Sequence, residues 1–381
     1  MKVAEAGGAM RAIARVLRPV MIKLFPDVPT DHPAMSAIIM NMAANMLGLG
    51  NAATPMGIKA MQELKKLSPS KDTATDSMAL FLAINTSSVT LLPLGVITVR
   101  ASAGSDNPAS ILIPSLIATI VSTTVAIASA KFLARSNPLS PLIPTQVKED
   151  TVDDNNEEVE QSEVKLQPPV GAKKWFAISL IFAFVVGAIY QIFNSDVAAG
   201  IAPLFSRTTV TGLTNWLIPI ILLTILGYGY FKGVELYETV TEGAKEGFST
   251  AVRIIPFMVA IFVAIGLIRA SGTLDILNTL LGSTLSLIGM PTEALPMALI
   301  RPLSGSGAFG IMSEIVTNNP NSFVADVVSV MQGSTETTFY VLAVYFGAVG
   351  ISKTRHALPA ALMADVAGIV AAVFATHLFL G

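Results

Sequence analysis

The chain has 381 residues, of which 52% are hydrophobic and only 13% charged, with a formal net charge of −2 and no cysteine. Without cysteine, a disulfide framework, Cys-ligated zinc and thiol catalysis are excluded, and a near-neutral charge offers no footprint for nucleic acid. Several apolar windows of about 20 residues match the ~30 Å hydrocarbon core of a bilayer, so the expected class is an all-α, polytopic membrane protein.

The opening stretch, MKVAEAGGAMRAIARVL, lacks the apolar core of a cleavable signal peptide. An amphipathic stretch at 9–24 leads to PTDHPAM (Pro29–Met35) and then to a polar segment, NMAANMLGLGNAATP (Asn41–Pro55). A second polar segment, NTSSVT (Asn85–Thr90), sits between apolar runs, and a full span follows at 108–134. Composition then changes. TQVKEDTVDDNNEEVEQSEVKLQ holds eight acids against two lysines and almost no large apolar residue, so 136–172 is expected to be a solvated, disordered linker. Further spans are expected at 174–194, 213–231, 250–268 and 356–380. Trp175 and Trp216 sit at span ends, where an indole suits the headgroup layer. His32, His356 and His377 are too far apart in sequence to suggest a metal site, and no metal or cofactor is expected.

The two sides of the linker resemble each other. PTDHPAM matches PTEALPM (Pro291–Met297), each after an amphipathic stretch, 9–24 and 273–289. LFLAINTSSVTLLPLGVITV (80–99) matches VVSVMQGSTETTFYVLAVYF (327–346) as apolar, polar, apolar. IPSLIATIVSTTVAIASA (113–130) matches LPAALMADVAGIVAAVFA (358–375), with proline in the same place. Three matches in one order predict a duplication: a first repeat at 1–135, the linker at 136–172, and a second repeat within 173–381 led by two extra transmembrane helices. Lys131, Arg135, Lys173 and Lys174 flank the linker, and Lys232 and Lys245 mark the loop 232–248, which places both in the cytoplasm. With Lys353 and Arg355 also cytoplasmic, the last span runs opposite to its counterpart, so the repeats are expected to be inverted. Matching Gly8 to Gly272 leaves the counterpart of span 250–268 ahead of Met1, so the chain is expected to be N-terminally truncated.

Each half holds two polar interruptions. Those of the second are RPLSGSGAFG (Arg301–Gly310) and QGSTETT (Gln332–Thr338). The flanking apolar runs are about 13 residues, ~20 Å as helix, too short for a full span. Broken or re-entrant helices are therefore expected, because non-helical backbone survives at depth only where protein or a wet cavity satisfies it. Gly48 and Gly50, and Gly305, Gly307 and Gly310, are expected to supply backbone freedom at the tips. Interhelical hydrogen bonding is the structural alternative for the Ser, Thr and Asn residues. The carboxylate of Glu336 favours a site, since an acid at membrane depth normally faces a cavity or a partner. Arg301, Glu314 and Asp365 are further charged candidates, with a buried Arg–Glu pair as the bland explanation of Arg301. GSGAFG fits G-x-G-x-x-G but follows an apolar helix, and SPSK (Ser68–Lys71) lies in a polar loop without companion motifs. No catalytic arrangement emerges, so an enzyme is not expected.

HPAMSAIIMNMAANMLGLGNAATPMGIKAMQEL with NTSSVTLLP resembles the spore maturation protein A family. RPLSGSGAFGIMSEI with VMQGSTETTFYVLAVYFGAVGISKTRHALPAAL resembles the B family, so the chain is similar to the fused A–B form. Both belong to the nucleoside-recognition or gate family, related to concentrative nucleoside transporters and to the gates of ferrous-iron permeases. The resemblance implies a transporter-like protein of the bacterial inner membrane. It implies solute binding by Gln332, Ser334 and Glu336, and Thr337, Asn41, Asn45, Asn51, Ser304 and Ser306 of the polar interruptions are further substrate-binding candidates. Asn85, Thr86 and Ser87 would hold an ion, and Arg301 and Glu314 would act as charge partners. The first half has Val89 where the second has Glu336, a departure from symmetry. The expected function is movement of a small polar solute, a nucleoside-like one among the candidates, through a midplane site with Na+ or H+. A non-transporting membrane scaffold and a passive channel are the alternatives. Expected partners are the bilayer and the solute, with self-association open.

Overall fold

Helix starts in this chain are chemically marked. Pro33 opens α3 (Pro33–Met46) at N1, where a missing N–H costs nothing, and His32 Nδ1 accepts from the Ala34 N–H. Ser304 and Ser322 play the same N-cap part for α12 (Gly305–Asn318) and α13 (Phe323–Ser334), accepting from the N–H groups of Gly307 and Ala325.

The structure, a computed structural model, describes residues 2–87, 89–136 and 207–381, with short pieces between 168 and 190. Most of the acidic linker lies outside the described residues, and the expected 174–194 span is described only in short helical pieces. The remaining helices are α1 (Lys2–Ala6), α2 (Ala9–Leu24), α4 (Gly50–Lys66), α5 (Asp76–Ser87), α6 (Leu94–Ser102), α7 (Leu112–Ser136), α8 (Arg207–Lys232), α9 (Leu236–Ala270), α10 (Thr273–Leu287), α11 (Leu295–Ile300), α14 (Thr338–Gly347) and α15 (Ala357–Leu380). The fold is all-α. Among the described residues, β-type pairing is confined to a lone bridge between Thr73 and Lys353.

The chain divides into two units, residues 1–12 with 143–250, and residues 13–142 with 251–381. In the first, α1 packs on α8: Gly229 admits Val3, and a Cβ on Gly7 would come within 2.9 Å of Tyr228 Cε1.

The second unit holds the matched elements. α2–α7 recur in order as α10–α15, and α5 and α13 have the same length of 12 residues. Its spine is α7 against α15. Ser122 Oγ donates to the Ala364 carbonyl (2.8 Å) and Ser129 Oγ to that of Ala360 (3.4 Å), so the two helices run antiparallel. Small residues permit the approach: Ala118, Ser122 and Ala126 are buried on α7, and Ala357, Ala360, Ala361, Ala364 and Ala372 on α15. The other side of α15 exposes Met363, Val366, Val370, Phe374 and Leu378. Two helices, Leu112–Arg135 and Ala357–Leu380, are long and apolar enough to cross a bilayer. The expected spans 213–231 and 250–268 fall within α8 and α9.

The interruptions are shorter than their polar composition suggests. Of Asn41–Pro55, only Leu47–Leu49 separate α3 from α4, and Gly48 makes that turn with φ +69°. Gly305, Gly307 and Gly310 are ordinary helical residues of α12 and supply no unusual backbone, a correction to the sequence reading. Gly305 serves packing instead, since a Cβ there would lie 2.6 Å from Thr337 Oγ1.

Candidate functional site

The two broken helices, α5–α6 and α13–α14, lie side by side in opposite directions. Along α5, Asp76 meets Arg355, Phe81 stacks on Tyr345 (centroids 5.8 Å apart), and the Thr86 carbonyl accepts from the Glu336 N–H (2.8 Å). Numbers rise on one strand of contacts and fall on the other, so α5 is antiparallel to α14. Along α6 the same holds against α13: a Cβ on Gly333 would meet Pro93 at 3.2 Å, and Arg100 reaches Ser329 and Asp326. The breaks are therefore in register, and they touch.

The two breaks leave four half-helix ends with orphan N–H and C=O groups, which must find partners when buried. The Ser87 carbonyl accepts from Thr123 Oγ1 (3.1 Å), and the Phe339 N–H donates to the Pro302 carbonyl (3.0 Å). Thr86, Ser87 and Ser334 turn their hydroxyls back onto carbonyls of their own helices. Their oxygens keep lone pairs for another donor or a cation.

Charge completes the second break. Arg301, just before α12, is buried; its Nη2 donates to the Gln332 carbonyl (3.3 Å) and its Nη1 to Thr337 Oγ1 (3.1 Å). That sets a cation at the C-terminal, partly negative end of α13. Asp365, buried on α15, accepts from Thr338 Oγ1 (2.7 Å), an anion at the N-terminal, partly positive end of α14. Arg301 makes no carboxylate contact within 4 Å among the described residues, but Glu336 and then Asp365 act on its charge through space. Arg301 Nε, Gln332 Oε1, Thr335 Oγ1 and Asp365 Oδ1 are buried without a hydrogen-bond partner. Glu336 is exposed, and its carboxylate has no hydrogen bond or ion pair among the described residues.

Beside the first break lies an amide cluster. Asn41 Nδ2 donates to the Ala53 carbonyl (2.7 Å) and to the Tyr345 hydroxyl (3.2 Å); Asn45 Nδ2 and the Tyr345 hydroxyl both donate to Asn85 Oδ1 (2.9 and 3.4 Å). Asn41 Oδ1 is buried without a partner. Gly57 gives Tyr345 its seat, because a Cβ there would overlap the phenol ring.

The structure thus brings Gln332, Ser334, Glu336, Thr337, Arg301, Asn85, Thr86 and Ser87 to the breaks, with Asn41 and Asn45 adjoining. Ser304 and Ser306 sit 3.5 Å apart at the start of α12, near Thr337 through Gly305. Asn51 lies in α4, and its side chain is outside the described residues. Glu314 accepts from Asn318 (2.7 Å) near the far end of α12. Sequence reasoning missed Tyr345, Thr338 and the pairs Arg100–Asp326 and Arg355–Asp76. The available signal was a lone charge inside an apolar run, as in GVITVRA and FVADVVSV.

A family profile described as nucleoside recognition matches residues 1–103 and 251–352, more than half of the chain. The chain belongs to this nucleoside-recognition gate family. The matched stretches contain both breaks, Arg301 and Glu336, and stop short of α7 and α15, so Asp365 lies beyond them. Among curated proteins, the chain is 48% identical over 174 residues to spore maturation protein B of Bacillus subtilis (strain 168), covering 44% of this chain and 98% of that protein. It is 51% identical over 127 residues to spore maturation protein A of the same organism, covering 33% of this chain and 65% of that protein. The chain therefore spans just under two thirds of the length of the second relative. No solved structure matches.

Proposed function

We propose that the chain is a multi-pass protein of the bacterial cytoplasmic membrane in which two inverted gate repeats, within 1–135 and 173–381, carry a small polar solute through a midplane site at the paired breaks. The observation that carries this reading is the bond from the Glu336 N–H to the Thr86 carbonyl, which sets an exposed carboxylate where both breaks meet. Support for inversion comes from the antiparallel course of the matched helices α7 and α15. Support for the membrane comes from their length and from the apolar stripe that α15 turns outward, the reverse of a water-soluble helix. Basic residues Lys131 and Arg135 at the end of α7 favour a cytoplasmic linker at 136–172.

In this reading Glu336, Gln332, Ser334 and Thr337 contact solute, with Asn41, Asn45, Asn51, Ser304 and Ser306 lining the approach. Asn85, Thr86 and Ser87 offer oxygens to Na+, or Glu336 exchanges a proton. Arg301 and Asp365 hold the half-helix ends in place. The family description makes a nucleoside the first solute to test. The test is uptake of labelled nucleosides into proteoliposomes with and without a sodium or proton gradient. Gradient-coupled uptake is expected; uncoupled flux would indicate a channel, and no flux a scaffold.

A further inference from the structure

The paired broken helices are tied together at both ends, and the ties are reciprocal. At one end Arg100, in the last turn of α6, meets Asp326, in the first turn of α13 (2.7 Å). Arg100 also donates to Ser329 and Ser105 (3.3 and 3.2 Å), and Asp106 and Asn321 exchange two hydrogen bonds beside it. At the other end Arg355, just beyond α14, meets Asp76, the first residue of α5 (2.7 Å), and Lys353 meets Asp72 (2.9 Å). Each repeat thus supplies the acid at the start of its first half-helix and the base at or beyond the end of its second. Each of the three ion pairs, and the Asp106–Asn321 pair, joins one repeat to the other. With half-helices of 9 to 12 residues, the ties lie roughly 14–18 Å on either side of the breaks.

A buried ion pair is a poor device for stability alone, since matched apolar side chains do as well or better. Arg100 and Asp326 are nevertheless 3% and 15% exposed, and Arg355 and Asp76 9% and 24%. What an ion pair offers instead is an open state that water tolerates: once parted, both charges regain hydration, whereas parted apolar surfaces do not. Backbone strain marks the second tie. Arg355 has φ +51°, the one positive value at a non-glycine residue among those described, and such strain gathers at switching positions.

We infer that Arg100–Asp326 and Arg355–Asp76 are two latches that close the paired breaks toward opposite faces of the membrane, so that parting either one admits water to the breaks from one face only. The inference rests on the membrane reading above, but its test needs no solute.

Because the chain has no cysteine, Ser334→Cys gives a single reporter at a buried position in the second break. A membrane-impermeant maleimide is added to right-side-out and to inverted membrane vesicles. The reporter alone is expected to label slowly from both faces. Asp326→Asn should speed labelling at least about tenfold from one face, and Asp76→Asn by a similar factor from the other. The exchange Arg100→Asp with Asp326→Arg should restore protection. Unchanged labelling in well-folded single variants, opening of both toward the same face, or no restoration by the exchange would each overturn the latches. Where Asp326→Asn fails to insert, Arg100→Lys, which keeps the charge but loses the forked contacts to Ser329 and Ser105, replaces it and must raise labelling from that same face. One-sided opening without any uptake would leave the latches standing and remove transport. Coupled uptake with unaltered labelling would do the reverse.

Discussion

The Glu336 N–H and the Thr86 carbonyl, 250 residues apart in sequence, form a 2.8 Å hydrogen bond that joins the tips of two broken helices. Each satisfies an orphan group of the other's break, so neither break is complete without its counterpart. Glu336 is exposed, its charge acts on the buried Arg301 guanidinium through space, and Thr86 keeps its hydroxyl on the Ala83 carbonyl.

Replacing Glu336 by Gln should abolish coupled uptake while leaving folding intact, because the exposed side chain makes no hydrogen bond among the described residues and the backbone bond survives. Uptake per folded molecule in proteoliposomes, set beside the melting temperature in detergent, reads both quantities. A lowered melting temperature with unchanged uptake would assign Glu336 to structure.

Arg301 should behave in the opposite way. Arg301→Met leaves the Gln332 carbonyl and Thr337 Oγ1 without their charged donor, a loss of about 1.5–3 kcal/mol for each hydrogen bond to a charged group. A clear fall in thermal stability is expected. Arg301→Lys, which keeps a cation at the end of α13, should recover part of it. Equal stability of the Met and Lys variants would show that the charge is not what matters.

Close packing at Gly368 makes a third test. A Cβ there would lie 2.6 Å from Thr335 Cγ2 and 3.1 Å from Ser122 Cβ. Gly368→Ala should destabilise by about 1–3 kcal/mol through overpacking. Adding Thr335→Ser, which removes that methyl group, should return much of the loss. Absence of any such rescue in chemical denaturation would place the strain elsewhere.

The Tyr345 hydroxyl bridges Asn41 and Asn85, so Tyr345→Phe keeps the stack on Phe81 but removes two buried hydrogen bonds. A loss of about 1–3 kcal/mol is expected, since it leaves Asn41 Nδ2 with the Ala53 carbonyl alone. Phe81→Leu should add to it less than independently, because the stack it removes positions the ring whose hydroxyl makes those bonds. Strict additivity would argue against a shared cluster.

Acid should undo one inter-repeat tie only at a pH below that at which ordinary carboxylates take up their protons. The Lys353 ammonium, hydrogen-bonded to Asp72, draws that carboxyl down from 3.8 to about 2, with Thr73 and Ser70 assisting. A depressed folded-state pKa contributes stability that is fully present above the unfolded value near 4 and is lost as pH falls through about 2. The pair is exposed, so the effect is small and salt-sensitive. Parent and Asp72→Asn should differ slightly in melting temperature at pH 5 and converge at pH 2. A difference that grows on acidification would contradict this sign.

Much of this was legible in the residues themselves. Apolar run length and the dearth of charge dictate helices, and runs of about 13 residues around NTSSVT and QGSTETT dictate breaks, because a helix cannot continue where its polar groups need partners other than lipid. Repetition of order from PTDHPAM to the proline-led last helix was visible for the same reason, since each match repeats a local backbone requirement. Glycine roles were not legible: Gly305 and Gly368 are there to admit Thr337 and Thr335, and nothing local in the sequence says which distant side chain will arrive. Nor was pairing. A lone Arg100 or Asp326 announces that it needs a partner at depth, but the choice among several acids and bases is made by the antiparallel course of the two broken helices. Local chemistry determined the helices, their caps and their breaks; the tertiary structure alone decided that the breaks lie in register, that Arg301 and Asp365 serve the half-helix ends, and that Glu336 stays exposed, because those outcomes depend on which surfaces meet across 250 residues of chain.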